Sequence, residues 1–115
     1  MEIAVYTSVP GDEHRVFNYL DSLKEKYPSN LYLHIVGGDQ ENEPFITWAK
    51  VNNVRFKEKK ILWDKYGFSA MRRAIKDLIT QSPIDLFVIM YVDSYSLEIT
   101  HILRERNVKV LSNLR

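Results

Sequence analysis

Cysteine is absent from this chain of 115 residues, and no charge of one sign dominates it. Without cysteine there is no disulfide, no thiolate metal ligand and no cysteine nucleophile, and a reducing compartment is expected. Sixteen basic residues against fifteen acidic residues leave a formal net charge of +1. Because binding to nucleic acid or to a membrane surface normally requires a basic face, this balance predicts neither partner.

Long hydrophobic runs are also missing. A membrane-spanning helix needs about 18 or more apolar residues, whereas the longest apolar run, IDLFVIMYV at residues 84–92, is interrupted by Asp85. The first residues, MEIAVYTSV, carry an acidic residue at position 2 and no basic segment, so no signal peptide is expected. These absences predict a soluble, cytoplasmic protein.

Metal and cofactor motifs are lacking as well. The three histidines, His14, His34 and His101, are dispersed, and none has a partner at the i, i+4 spacing of a helical metal site. Neither G-x-G-x-x-G nor G-x-x-x-x-G-K-[ST] occurs, so a standard dinucleotide site or P-loop is not predicted. We expect no metal and no resident cofactor.

What the chain does contain is a regular alternation of strand-like and helix-like segments. Segments rich in β-branched and aromatic residues, typical of strands, occupy residues 2–9, 31–36, 54–62, 84–92 and 108–112. Apolar residues recur at helical spacing over residues 16–27, 43–52, 69–81 and 97–105, with Pro44 in the first turn of the second helix and residues 64–68 as a loop. This order predicts one domain over residues 1–115, a Rossmann-like three-layer α/β/α fold with a five-stranded, mainly parallel sheet.

Four loops are candidates for a ligand site, because open parallel sheets bind ligands beyond the carboxyl ends of their strands. They are residues 6–12 (YTSVPGD), 37–42 (GGDQEN), 62–68 (LWDKYGF) and 91–96 (YVDSYS). Backbone N–H groups at a helix N-terminus and small hydroxylated side chains suit phosphate, which makes the following residues candidates: Thr7, Ser8, Ser94 and Ser96. Each has a structural alternative, since the Gly37-Gly38 pair can form a simple turn and Ser94 and Ser96 can cap a helix.

The loops and their neighbouring elements carry further motifs in a fixed order. YTSV stands where a first strand would end in a T-G-S-R-like corner, and VGGDQENEPFITWA stands where a G-G-A-x-G-A-D turn and an E-W-A helix would follow. WDKYGFSAMRRA matches a W-x-x-Y-G loop with an R-N pair, and DLFVIMYVDSYSLEITHILRERNVKV matches a D-L-V-I-A-F strand, a G-T loop, a helix and a G-I-P-V strand. In these features the chain resembles the SLOG superfamily, the Rossmann-like domains related to lonely-guy and lysine-decarboxylase-like proteins, and within it a small bacterial and phage branch.

This resemblance implies a pocket over the sheet for a nucleotide-derived molecule, such as a nucleoside phosphate or an ADP-ribose-like ligand. The residues carried over by position are Thr7, Ser8, Gly37, Gly38, Asp39, Arg72 and Ser96; Trp63 and Tyr66 could stack a base, although aromatic residues beside a loop also serve in packing. The superfamily includes ligand sensors and enzymes that cleave N-glycosidic bonds. Because Tyr95-Ser96 replaces the G-T of the last loop and the P-G-G-x-G-T-x-x-E signature of the glycosidases is absent, we expect a non-catalytic binder, a sensor or a sequestering protein.

Two alternatives remain open at this point. Residues 85–99 are also similar to the nucleoside deoxyribosyltransferases, whose D-x-G-T-x-x-E loop carries a nucleophilic glutamate; Glu98 would attack the anomeric carbon and Asp93 would act as the acid. The other alternative is a protein-interaction module without a small ligand, such as a homo-oligomer. Its contact face would be marked by exposed aromatic residues, for which the candidates are Tyr19, Tyr27, Tyr32 and Phe45.

Overall fold

The computed structural model describes residues 1–7, 13–89 and 94–112. Strands and helices alternate along the chain in the order β1 (Glu2–Tyr6), α1 (Glu13–Lys26), β2 (Tyr32–Gly37), α2 (Asp39–Val51), β3 (Arg55–Lys60), α3 (Trp63–Tyr66), a 3-10 turn (Gly67–Ser69), α4 (Ala70–Gln81), β4 (Leu86–Ile89), α5 (Ser94–Glu105) and β5 (Val110–Ser112).

The strands form one sheet in the order β3-β2-β1-β4-β5, and every neighbouring pair is parallel. The chain therefore adds β2 and β3 on one side of β1, then crosses back to add β4 and β5 on the other side. The predicted Rossmann-like three-layer α/β/α fold is confirmed. The strand order reverses between β1 and β4, which is the switch point of this sheet.

Two apolar cores lie on the two faces of the sheet. Since side chains alternate along a strand, Ile3 and Val5 of β1 pack with α1 and α2, whereas Ala4 and Tyr6 pack with α4 and α5. Helix α4 contributes a stripe of buried residues at helical spacing, which includes Met71, Ala74, Ile75 and Leu78. The sheet is thus covered by helices on both faces, as the apolar character of β1 and β4 requires.

Strand β3 forms one edge of the sheet and is only half buried, as its alternating sequence predicts. Its exposed residues include Arg55, Lys57 and Lys60. Basic side chains on an edge strand oppose pairing with the edge of another sheet, because they would bring like charges together.

Two local predictions are wrong. Helix α2 begins at Asp39 rather than near residue 43, so Pro44 lies inside the helix instead of in its first turn. The early start is favoured by Asp39 and Glu41, whose negative charges suit the positive end of the helix dipole. The ring of Pro44 removes one backbone donor, but the rest of the helix is held by the buried side chains of Phe45, Trp48 and Ala49.

The second difference concerns residues 63–69, of which residues 64–68 were predicted to lie in a loop. They form α3 and the 3-10 turn, and the carbonyl of Leu62 accepts bonds from the backbone N–H groups of Lys65 and Tyr66 at 3.1 and 3.0 Å. Gly67, with φ of 57°, ends α3 in a conformation that suits glycine. A helix of this length gives too little apolar periodicity to be recognised in the sequence.

Within the described ranges, no helix is long and apolar enough to cross a membrane.

Candidate functional site

The candidate site lies at the carboxyl edge of the sheet, where the segments after β2 and β3 face each other. A cleft of about 320 Å³ separates them. Its walls are Gly38 and Asp39 at the start of α2, and residues 60–65 at the end of β3 and in α3. Two of the four loops predicted from the sequence, residues 37–42 and 62–68, therefore line one cleft.

Gly37, at the end of β2, has a structural role that the sequence did not reveal. A Cβ atom added to it would lie 2.0 Å from Oγ1 of Thr7 and 2.8 Å from Oδ1 of Asn42. Thr7 is buried, and its hydroxyl lies 2.6 Å from Oδ1 of Asn42 and 3.2 Å from the carbonyl oxygen of Val36. Gly37 thus allows β1, β2 and α2 to approach closely, and neither Gly37 nor Thr7 lines the cleft.

Asn42 connects this contact to the edge of the sheet. Its side-chain amide donates to the carbonyl oxygen of Gly37 and to Oε2 of Glu58, both at 3.1 Å. The residue is fully buried, so these bonds satisfy an amide that would otherwise be costly to remove from water. The network holds the first turn of α2 against β1 and β3, and thereby holds Gly38 and Asp39 at the mouth of the cleft.

Gly38 and Asp39 are the predicted site residues that do face the cleft. Gly38 is the N-cap of α2 and has no side-chain cap bond. The carboxylate of Asp39 is 3.0 Å from Nζ of Lys60, and both side chains are more than half exposed. The hydrogen bond to Asp39, the negative charge of Asp39 and that of Glu58 together raise the pKa of Lys60 above its ordinary value of 10.5. Because Asp39 and Glu41 make this helix end acidic, it suits a hydroxyl donor better than a phosphate.

Trp63 and Tyr66, the predicted base-stacking residues, are separated by the geometry of α3. Trp63 lines the cleft and also packs against the core formed with α4 and α5. Tyr66 lies outside it, in a smaller cavity of about 110 Å³ that Arg73 also lines. The guanidinium carbon of Arg73 lies 4.4 Å from the centre of the Tyr66 ring, which is a cation–π contact.

Arg72, a predicted ligand residue, and Glu98, the candidate nucleophile, are brought together by the packing of α4 against α5. Oε1 of Glu98 accepts hydrogen bonds from both Nε and a terminal nitrogen of Arg72, the former at 2.7 Å. Neither side chain lines the cleft. The contact is an ion pair between neighbouring helices, with side chains that are 52% and 34% exposed.

The other predicted site residues fall on parts of the chain that are not described. Ser8 and Asp93 lie outside the described residues, and so do the side chains of Ser94 and Ser96, whose backbone forms the start of α5. Across the described ranges, no group of three or more His, Asp or Glu side chains could hold a metal ion.

Five residues of the cleft were not among the predicted ligand residues, namely Lys60, Ile61, Leu62, Asp64 and Lys65. The last three lie in the candidate loop 62–68, whereas Lys60 and Ile61 were assigned to a predicted strand that extended through residue 62. The aromatic interaction face is not supported, because Phe45 is fully buried and Tyr19 and Tyr27 are partly buried against the core. Tyr32 is half-buried, and its ring centre is 4.9 Å from that of His34.

Comparison of the chain with protein-family models, with curated proteins and with solved structures gives no match.

Proposed function

We propose that this protein binds a nucleotide or a nucleotide-derived small molecule without transforming it, acting as a sensor or a sequestering protein. The observation that carries the proposal is the cleft at the carboxyl ends of β2 and β3, which brings Gly38 and Asp39 opposite Trp63. Ligands of open parallel sheets bind beyond the carboxyl ends of the strands, at the switch point; this cleft lies at the carboxyl edge, one strand away from the switch point between β1 and β4. The volume of about 320 Å³ lies at the lower end of the range of about 300–1,000 Å³ for small-molecule pockets.

Asp39 would bind the ribose. In dinucleotide-binding sheets an acidic residue in the first half of the fold accepts hydrogen bonds from the ribose hydroxyls. Asp39 lies two residues after the end of β2, the neighbour of β1. Its carboxylate is 73% exposed, so it can exchange its contact with Lys60 for ribose hydroxyls at little cost. An ion pair this exposed to solvent contributes little to stability.

The opposite wall supplies apolar and positive groups. Ile61, Leu62 and Trp63 offer surfaces on which a flat base can pack, and indole rings are effective stacking partners for bases. Lys60 and Lys65 place positive charge at the same cleft, where a phosphate on the ribose would extend. The cleft thus combines the three chemistries of a nucleotide.

Binding rather than catalysis is proposed because the one described candidate for a nucleophile is engaged elsewhere. Glu98 is hydrogen-bonded to Arg72 between α4 and α5, and it does not line the cleft. The carboxylates that do line the cleft, Asp39 and Asp64, are not the nucleophile that the resemblance to the deoxyribosyltransferases implies.

Isothermal titration with adenosine, AMP and ADP-ribose tests the proposal. We expect saturable binding of at least one of them. Asp39→Asn should weaken adenosine binding about tenfold, because a charge-assisted hydrogen bond to the ribose is replaced by a weaker one. Adenosine is the informative ligand for this variant, since it has no phosphate that could benefit from the freed Lys60.

Glu25→Gln on the exposed surface of α1 is the matched control, which removes a carboxylate far from the cleft and should leave binding unchanged. Trp63→Leu tests the stacking surface and should weaken all three ligands alike. Absence of binding by all three ligands, or equal weakening in Asp39→Asn and Glu25→Gln, would contradict the proposal.

A further inference from the structure

The formal net charge of +1 conceals an uneven distribution of charge along the chain. Residues 55–77, a fifth of the sequence, hold eight of the sixteen basic residues but only three of the fifteen acidic ones. These residues form β3, α3, the 3-10 turn and most of α4, which are neighbours at one edge of the sheet. The fold therefore gathers half of the basic side chains in one part of the molecule, which the balanced composition does not indicate.

Most of these eight cations have no carboxylate partner. Within the described ranges, ion pairs are made by Lys59, Lys60 and Arg72. The other five make no ion pair with any described residue, and all of them are exposed: Arg55, Lys57, Lys65, Arg73 and Lys76. Their charges are therefore available to a partner in solution.

The remaining carboxylates around this segment do not cancel these charges. Glu58 is partly buried and accepts a hydrogen bond from Asn42 of α2, on the other face of β3. Glu2 is 27% exposed, and its Oε1 lies 2.9 Å from Nε2 of His34. Asp64 is exposed and, among the described residues, unpaired. The carboxyl-terminal end of α4 adds about half a negative charge, so five exposed cations leave the surface positive.

Three of the cations form a row along β3. Phe56 packs in the core with α1 and α2, and side chains alternate along a strand, so Arg55, Lys57 and Lys59 lie on the α4 side. Lys57 and Lys59 line a cavity of about 200 Å³ there, which His34 also lines. Alternate residues of a parallel strand are about 6.6 Å apart, which is close to the spacing of successive phosphates in an extended nucleic-acid strand.

The row continues beyond the carboxyl end of β3 onto α3 and α4. A smaller cavity of about 110 Å³ is lined by Lys59, Arg73 and Tyr66, so it adjoins the first cavity at Lys59. The guanidinium carbon of Arg73 lies 4.4 Å from the centre of the Tyr66 ring, and Nζ of Lys65 lies 5.2 Å from it. Leu62, which is 47% exposed, lines the same cavity and offers apolar surface to a base.

We propose that this basic surface, formed by Arg55, Lys57, Lys59, Lys65 and Arg73, binds single-stranded nucleic acid. The phosphates lie along the row of cations on β3, and a base packs on Leu62 at its end. A single strand fits better than a duplex because the cations follow one line, and because an apolar side chain can pack on a base only where the bases are unpaired. The inference goes beyond the proposed function, since it concerns a polymer and a surface outside the cleft at Asp39.

Fluorescence anisotropy of the full chain with a labelled oligothymidylate tests the surface. An oligomer of about 12 nucleotides lies within the usual range of site sizes. We expect saturable binding at low salt, with the logarithm of the association constant falling linearly with the logarithm of the salt concentration. Three to five neutralised phosphates would give a slope of about −2 to −3.5, because each contributes about −0.7 for a single strand.

The double variant Lys57→Gln/Arg73→Gln removes two exposed cations from the surface and leaves the core intact. It should weaken binding and make the slope less negative by about 1.4, the contribution of two phosphate contacts. Arg104→Gln/Lys109→Gln is the matched control, because it removes the same charge from exposed positions on α5 and beside β5, at the far edge of the sheet. The slope and the affinity of the control should equal those of the unmodified protein.

Four outcomes would overturn the inference. They are absence of saturable binding at low salt, equal changes of slope in the two double variants, tighter binding of a duplex of the same length, and competition by poly-L-glutamate as strong as that by unlabelled oligothymidylate. The last result would assign the surface to acidic polypeptides. Lys57 and Arg73 do not line the cleft at Asp39, so failure of adenosine, AMP and ADP-ribose to bind would leave these measurements unaffected.

Discussion

At the residue scale, Gly37, the last residue of β2, and Gly38, which follows it, have different surroundings. Gly37 lies in a packed contact, whereas Gly38 lines the cleft. A Cβ atom on Gly37 would collide with the side chains of Thr7 and Asn42, whereas one on Gly38 would meet only the carboxylate of Glu41. Glu41 is only partly buried and its side chain can rotate, but Thr7 and Asn42 are buried and bonded to each other. Gly37 is therefore required by the fold, and Gly38 by the shape of the cleft mouth.

Gly37→Ala should destabilise the protein by about 1–3 kcal/mol, because the added methyl group has no space and the buried Thr7–Asn42 contact must shift. Gly38→Ala is the matched control and should cost only about 0.5–1 kcal/mol, since Glu41 can rotate away and alanine is a slightly poorer N-cap than glycine. Urea unfolding followed by circular dichroism measures both. Equal losses in the two variants would contradict the packing role of Gly37.

The pair formed by Lys60 and Asp39 gives a pH-dependent prediction at the same scale. The pKa of Lys60 is raised above 10.5 chiefly by the hydrogen bond and the charge of Asp39. A raised lysine pKa contributes stability that is complete below the ordinary lysine value and is lost as the pH rises through the raised value. We therefore expect the pKa of Lys60 in Asp39→Asn to fall toward its ordinary value, as measured by NMR of the lysine side chain.

Asp64→Asn is the control for this measurement, since Asp64 lines the same cleft but does not contribute to the raised pKa. An unchanged Lys60 pKa in Asp39→Asn would show that the contact does not form in solution.

At the scale of elements, apolar periodicity predicted the long helix α4 correctly but could not predict the short helix α3. Helix α4 has its buried residues on one face over its whole length, and its predicted extent, residues 69–81, differs from the observed one by a single residue. Helix α3 has four residues and no buried residue, so its sequence has no apolar pattern that would predict a helix. The start of α2 was placed too late because Pro44 was assigned to the first turn, the position where proline is most often tolerated.

Ile75→Ala tests the contribution of α4 to the core. Ile75 is fully buried, and replacing a buried isoleucine by alanine should cost about 2–5 kcal/mol through lost burial and the remaining cavity. Lys76→Ala, at the exposed neighbouring position, should change stability by no more than about 0.5 kcal/mol. Thermal and urea unfolding of both variants provide the comparison, and a small loss for Ile75→Ala would mean that α4 does not pack on the sheet as described.

At the scale of the whole molecule, the sheet order places two cavities on opposite sides of β3. The cleft at Asp39 opens at the carboxyl edge beside α2, and the cavity at His34 lies on the α4 face. Neighbouring residues of one strand serve the two spaces, with Lys60 in the first and Lys59 in the second. This division follows from the alternation of side chains along an edge strand that is covered on each face by a different helix.

The fold class was within reach of sequence reasoning because it depends on local periodicity. Strands that alternate with helices of ten or more residues can form only a few arrangements, and all favour a parallel sheet with helices on both faces. The order of the loops around the carboxyl edge followed from that class. The position of Gly38, Asp39 and Trp63 at this edge could be predicted from the sequence for the same reason.

Tertiary structure alone decided which residues meet. The contact of Gly37 with Thr7 and Asn42, the pairing of Arg72 with Glu98, and the burial of His34 beside Glu2 all join residues at least five positions apart, and most are far more distant. Such contacts depend on strand register and on how each helix lies on the sheet, which are set by the packing of both cores together. The local sequence around a glycine, a threonine or a histidine does not indicate whether that residue will line a ligand site or pack in the interior.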